Sequence, residues 1–87
     1  MRLADYCSDE EWKRIKKFAD TKETPFLVVD LEIIKQKYEE ITTCFPMAKV
    51  HYALKANPAR PVIELLRDLG SNFDVASIYE LDKVLAT

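Results

Sequence analysis

Two short apolar runs lie on either side of one amphipathic helix pattern, and this arrangement restricts the possible folds more than any other feature of the chain. The runs are "KVHYALK" (Lys49 to Lys55) and "NFDVA" (Asn72 to Ala76), separated by "RPVIELLRDLG". In the middle segment Val62, Leu65, Leu66 and Leu69 recur at helical spacing. Pro61 suits the first turn of such a helix and Gly70 its C-terminal end. A strand, a helix and a second strand in close succession predict parallel strands joined by a right-handed crossover.

The rest of the chain extends the alternation. "SDEEWKRIKKFAD" opens with Ser8 and, three residues on, Glu11, which is a capping box, and Trp12, Ile15 and Phe18 follow at helical spacing. Trp12 is read as a packing residue of that helix. "PFLVVD" is a continuous apolar run from Phe26 to Val29 and predicts a strand buried on both faces. Asp30 can cap the helix "LEIIKQKYEEITTCF", with Ile34, Tyr38 and Ile41 as its buried stripe and Pro46 as its stop. Ser77 and Glu80 form a second capping box at the head of "SIYELDKVLAT". The expected order is α-β-α-β-α-β-α, the start of an α/β protein. The chain of 87 residues is expected to be the N-terminal piece of a longer one, and on its own to be marginally folded and inactive.

Composition excludes several classes. A net charge of −2 leaves no basic footprint for a nucleic-acid partner. No apolar run approaches the roughly 20 residues of a membrane-spanning helix, and the N-terminus lacks the apolar stretch of a secretory signal. Cys7 and Cys44 are isolated and have no metal-type spacing, which predicts ordinary thiols in a cytoplasmic protein rather than a disulfide framework.

Side chains alternate across a strand, so Val50, Tyr52 and Leu54 are expected on one face of "KVHYALK" and Lys49, His51, Ala53 and Lys55 on the other. In "NFDVA", Phe73 and Val75 match the apolar face, and Asn72, Asp74 and Ala76 the opposite one. Two neighbouring strands would then bring Lys55 and Asp74 together beside small alanines near the strands' C-terminal ends. A lysine held near a carboxylate with room around it suits a Schiff base. A plain ion pair between Lys55 and Asp74 explains the same pattern as well.

"YALKANP" followed across one helix by "GSNFDVAS" resembles the fold-type III pyridoxal-phosphate enzymes. The similarity is greatest to their bacterial ornithine/lysine decarboxylases and runs from about Thr24 to Thr87. "TPFLVVD" resembles the opening strand of that group. The resemblance implies the start of an alanine-racemase-like (β/α)8 TIM barrel, incomplete in this chain. Residues 1–24 would be a leader helix and connector and 25–87 the first part of the cofactor-binding barrel domain, with "FLVVD" given to a separate β-domain. It implies pyridoxal 5'-phosphate as cofactor, held by Lys55 as a Schiff base, with Asp74 as the acidic neighbour and Ala53 lining the cofactor's side of the strand.

The implied reaction is decarboxylation of L-ornithine, or L-lysine, to putrescine or cadaverine in polyamine synthesis by a homodimer. The alternatives are a diaminopimelate or carboxynorspermidine decarboxylase, or a non-catalytic relative that binds the cofactor or regulates such an enzyme. Ser77 and Glu80 are read as helix caps, His51 as a packed residue, and Asn57 and Pro58 as shaping the loop after the strand.

Overall fold

The structure is a computed structural model that describes residues 7–87. The first six residues of the expected leader segment therefore lie outside the described residues. Four α-helices and two strands follow in the order α1 (Asp9–Ala19), α2 (Leu31–Cys44), β1 (His51–Ala53), a 3₁₀ turn (Leu54–Ala56), α3 (Arg60–Asp68), β2 (Asn72–Asp74) and α4 (Ile78–Leu85).

β1 and β2 pair in parallel, with His51 opposite Asn72, Tyr52 opposite Phe73 and Ala53 opposite Asp74. α3 is the crossover between them, as the alternation of elements predicts. Its ends are set locally. Pro61 occupies the first turn, and Gly70 takes φ +91° just past the C-cap Leu69. The Ser71 amide donates to the Leu66 carbonyl at 2.9 Å and the Gly70 amide to the Arg67 carbonyl at 3.0 Å. That pair of bonds is a Schellman motif, and the left-handed residue it needs is the glycine. The chain is thereby turned into β2, where the Asn72 amide donates to the Val50 carbonyl at 2.9 Å.

The other helix starts also follow the sequence. Ser8 accepts from the Glu11 amide, Asp30 from the Glu32 amide and Ser77 from the Glu80 amide. Each satisfies a donor that the first helical turn leaves open.

Four expectations are corrected. Phe26 to Val29 form no strand, and Leu27 is 82% exposed. An apolar run becomes a strand only where a neighbour takes its backbone hydrogen bonds, and no strand pairs with it among the described residues. The observed order is therefore α-α-β-α-β-α. Ile41 is exposed, whereas Ile34 and Tyr38 are half-buried, so the stripe of α2 is covered only partway along. Trp12 and His51 are exposed rather than packed. Finally, Ile63, absent from the expected stripe of α3, is fully buried, while Leu65 and Leu69 are half-buried. The buried face of α3 is thus centred among Val62, Ile63 and Leu66 and shifted away from Leu65 and Leu69.

The buried core is Leu54, Val62, Ile63 and Leu66. It sits where the turn after β1 meets α3, and α2 packs against α3 from outside. The Cα radius of gyration is 15.2 Å, against about 12 Å for a compact domain of this length. The accessible surface is 7104 Å², against roughly 5,300 Å² for a monomer of this mass. Much apolar surface stays open, including Ile78, Tyr79 and Leu85 on α4 and Phe45 and Met47 after α2.

Candidate cofactor site

The sheet offers two unlike faces. Tyr52 and Phe73 lie half-buried on one. His51, Asn72 and Asp74 are exposed on the other, where Ala53 stands directly opposite Asp74. The strand alternation thus places Ala53 and Asp74 side by side, as the sequence predicts, and leaves this face open.

The backbone carries Lys55 along a different path from the one expected. The strand ends at Ala53, and Leu54 to Ala56 make one 3₁₀ turn. Simple alternation therefore does not carry the lysine, which projects from a turn at the C-terminal ends of the strands. Leu54, at 0% exposure, fastens that turn to the core. On its other side the Tyr52 hydroxyl donates to the Asn57 carbonyl at 3.0 Å, and the Asn57 Oδ1 accepts from the Ala59 amide at 3.0 Å. The second bond leads the chain into α3. Burial pushes the Tyr52 phenol above its ordinary pKa, while the bond to the Asn57 carbonyl acts the other way.

The Lys55 side chain is exposed and makes no ion pair or hydrogen bond with the described residues, and the same holds for the side chain of Asp74. The alternative of a plain ion pair between them is thereby corrected. The physical cause is the turn, which takes the lysine off the strand line on which Asp74 lies. The amine is left available.

Around it the backbone is well held. Ser77 caps α4, and the Glu80 Oε1 accepts from the Ala76 amide at 2.7 Å. Both side chains are occupied with the helix start, in keeping with their reading as caps. Asn57 shapes the loop, as expected. The Tyr52–Asn57 bond had not been read from the sequence, in which Tyr52 counted only as an apolar-face residue. The acceptor is a backbone carbonyl, which any residue would supply, so the sequence carries no signal for this bond.

What such a place can hold follows from its groups. An exposed, unpaired primary amine can condense with an aldehyde. A carboxylate on the next strand favours a cationic nitrogen near it. The small side chain of Ala53 leaves room for a flat ring beside Asp74 on the open face. No group of three or more possible metal ligands is found among the described residues. Nor is any helix among them long and apolar enough to cross a membrane.

Known proteins place this geometry in a class. Residues 31–87 match the family model described as "Pyridoxal-dependent decarboxylase, pyridoxal binding domain". The span takes in the open strand face, the lysine turn, α3, β2 and α4. Among curated proteins, the lysine/ornithine decarboxylase of Selenomonas ruminantium is 43% identical over 70 residues, covering 80% of this chain and 18% of that protein. The ornithine decarboxylase of Saccharomyces cerevisiae is 41% identical over 64 residues, 74% of this chain and 14% of that protein. The diaminopimelate decarboxylase of Aquifex aeolicus is 37% identical over 67 residues, 77% of this chain and 16% of that protein.

No solved structure matches. The chain belongs to the pyridoxal-dependent decarboxylase family, in its pyridoxal-binding domain. It spans less than a fifth of the length of these curated relatives.

Proposed function

We propose that this chain supplies the lysine end of a pyridoxal-phosphate site in an amino-acid decarboxylase that acts on L-ornithine or L-lysine. One observation carries the reading. Lys55 is an exposed amine without a partner, set on a fastened turn beside the open face of two parallel strands, within the span that matches the pyridoxal-binding family.

The residues present fit the cofactor's aldehyde end. Lys55 would hold it covalently, Ala53 would line the ring's side of the strand, and Asp74 would balance positive charge near the nitrogen. When bound, the cofactor supplies an electron sink for the bond that breaks. With the cofactor bound, Lys55 would be the amine that holds its aldehyde carbon and is free to release it to a substrate amine. The polar residues that would hold its phosphate are not apparent among the described residues. The one glycine, Gly70, is spent on the end of α3, at the opposite ends of the strands from Lys55.

Ornithine or lysine as substrate is supported by the names of the Selenomonas and Saccharomyces relatives. The Aquifex relative favours diaminopimelate as a second reading. In this proposal residues 25–87 begin a (β/α)8 barrel behind a leader in residues 1–24. The remaining barrel covers the apolar surface left open here, "FLVVD" joins a β-domain, and the enzyme works as a cytoplasmic homodimer.

Pyridoxal phosphate followed by borohydride should label this chain at Lys55, as read by peptide mapping, and Lys55→Arg should lose the label. Carbon dioxide release from ornithine, lysine and diaminopimelate by the longer protein that carries this chain then ranks the substrates. Labelling spread evenly over the other lysines would overturn the assignment.

A further inference from the structure

We infer that Tyr52 is the positioning residue of Lys55: its hydroxyl, donating to the Asn57 carbonyl at 3.0 Å, closes the turn that carries the lysine and sets where the amine stands. The inference rests on the reading of Lys55 as the cofactor lysine.

A three-residue 3₁₀ turn has poor hydrogen-bond geometry and holds badly alone. This one lacks a side-chain cap at Ala53, and Lys55 contributes no bond of its own. Its shape is therefore imposed from outside. Leu54 fastens it on the core side. The Tyr52–Asn57 bond spans it from the last strand pairs to the residue just after it, and Asn57 passes the constraint on to Ala59.

The phenol acts from the half-buried face, opposite the face of Ala53 and Asp74, so it supports the turn without occupying the site. Across the sheet Phe73 fills the same face without a hydroxyl. Packing alone therefore does not require the oxygen on Tyr52.

Tyr52→Phe keeps the ring and removes only the donor. Two measurements on this chain test the inference. The first is amide hydrogen exchange at residues 55–57 compared with α3 and β2. The second is the concentration of pyridoxal phosphate needed for half-labelling of Lys55. In that labelling the amine adds to the aldehyde carbon, water leaves, and borohydride delivers hydride to the C=N bond to give a secondary amine.

Exchange at 55–57 is expected to rise about 3- to 10-fold, the size of one net hydrogen bond, with α3 and β2 unchanged. The half-labelling concentration should rise by a similar factor. Phe73→Leu, which disturbs packing on the same face, should instead raise exchange throughout the sheet and α3. Unchanged exchange and labelling in Tyr52→Phe would overturn the inference. So would a rise spread equally over α3 and β2, because Tyr52 would then be a packing residue. If the unaltered chain does not label at Lys55, the cofactor reading falls. The exchange comparison then decides by itself whether Tyr52 closes the turn.

Discussion

The segment from Val50 onward and the segment before it use similar materials with different results. Both contain capped amphipathic helices. α3 buries Val62, Ile63 and Leu66, whereas α1 and α2, and α4 beyond the second strand, bury no residue fully. The difference lies in the connections. α3 is held at both ends by strands that pair with each other, and α2 packs against it. α1 leads into Phe26 to Val29, which finds no strand partner, and its apolar side chains stay largely in water. Amphipathic patterning makes a helix ready for burial, and topology decides whether it is buried.

The strongest test of this contrast is Leu54→Ala. The side chain is at 0% exposure and forms the floor of the lysine turn. Truncation should cost about 2–5 kcal/mol, enough to unfold a small domain of ordinary stability. Ile34→Ala, on the half-buried stripe of α2, should cost about 1 kcal/mol or less, since little area is lost from a site already open to water. Urea denaturation of both variants ranks them. Equal costs would mean that the two segments share one core after all.

Most of the second segment was legible from the sequence. Pro61 and Gly70 gave the ends of α3, and two apolar runs gave a parallel pair in register. Ser77 and Glu80 gave the start of α4. These signals are local, and the structure uses each of them locally.

What escaped depends on partners outside the local window. The strand expected at Phe26 to Val29 needed a neighbour that no run length reveals. Ile41 fits the helical period of the buried stripe, yet it is exposed, because no described residue covers that end of α2. In the candidate site, Ala53 and Asp74 followed from alternation. The path of Lys55 did not, because a strand that stops at Ala53 and coils into a 3₁₀ turn looks the same in sequence as one that continues.

A smaller effect probes how the first segment is held. Asp30 accepts from the Glu32 amide at 3.0 Å through Oδ1 and from Arg14 at 2.5 Å through Oδ2. One carboxylate therefore caps α2 and ties α1 to it. Asp30→Ala should cost about 1–2 kcal/mol, the cap contributing the larger share and the partly exposed ion pair the rest. Asp30→Asn keeps an acceptor for the cap and should recover more than half of that loss. Equal losses in Asp30→Ala and Asp30→Asn, followed by thermal melts, would show the charge to be what matters.

The smallest effect on stability is expected at the residue of greatest functional interest. Lys55 is exposed and unpartnered, and the turn beneath it is held by Leu54 and Tyr52. Lys55→Met should therefore change unfolding free energy by no more than about 0.5 kcal/mol, the range of surface substitutions that break no feature of the fold. Borohydride labelling at that position should vanish in the same variant. The pair of results would separate this lysine from the residues around it: Leu54 and Tyr52 hold the turn, and Lys55 only uses it. A loss above 1 kcal/mol in Lys55→Met would make the lysine part of the structure of the turn, and its open amine would no longer need a chemical explanation.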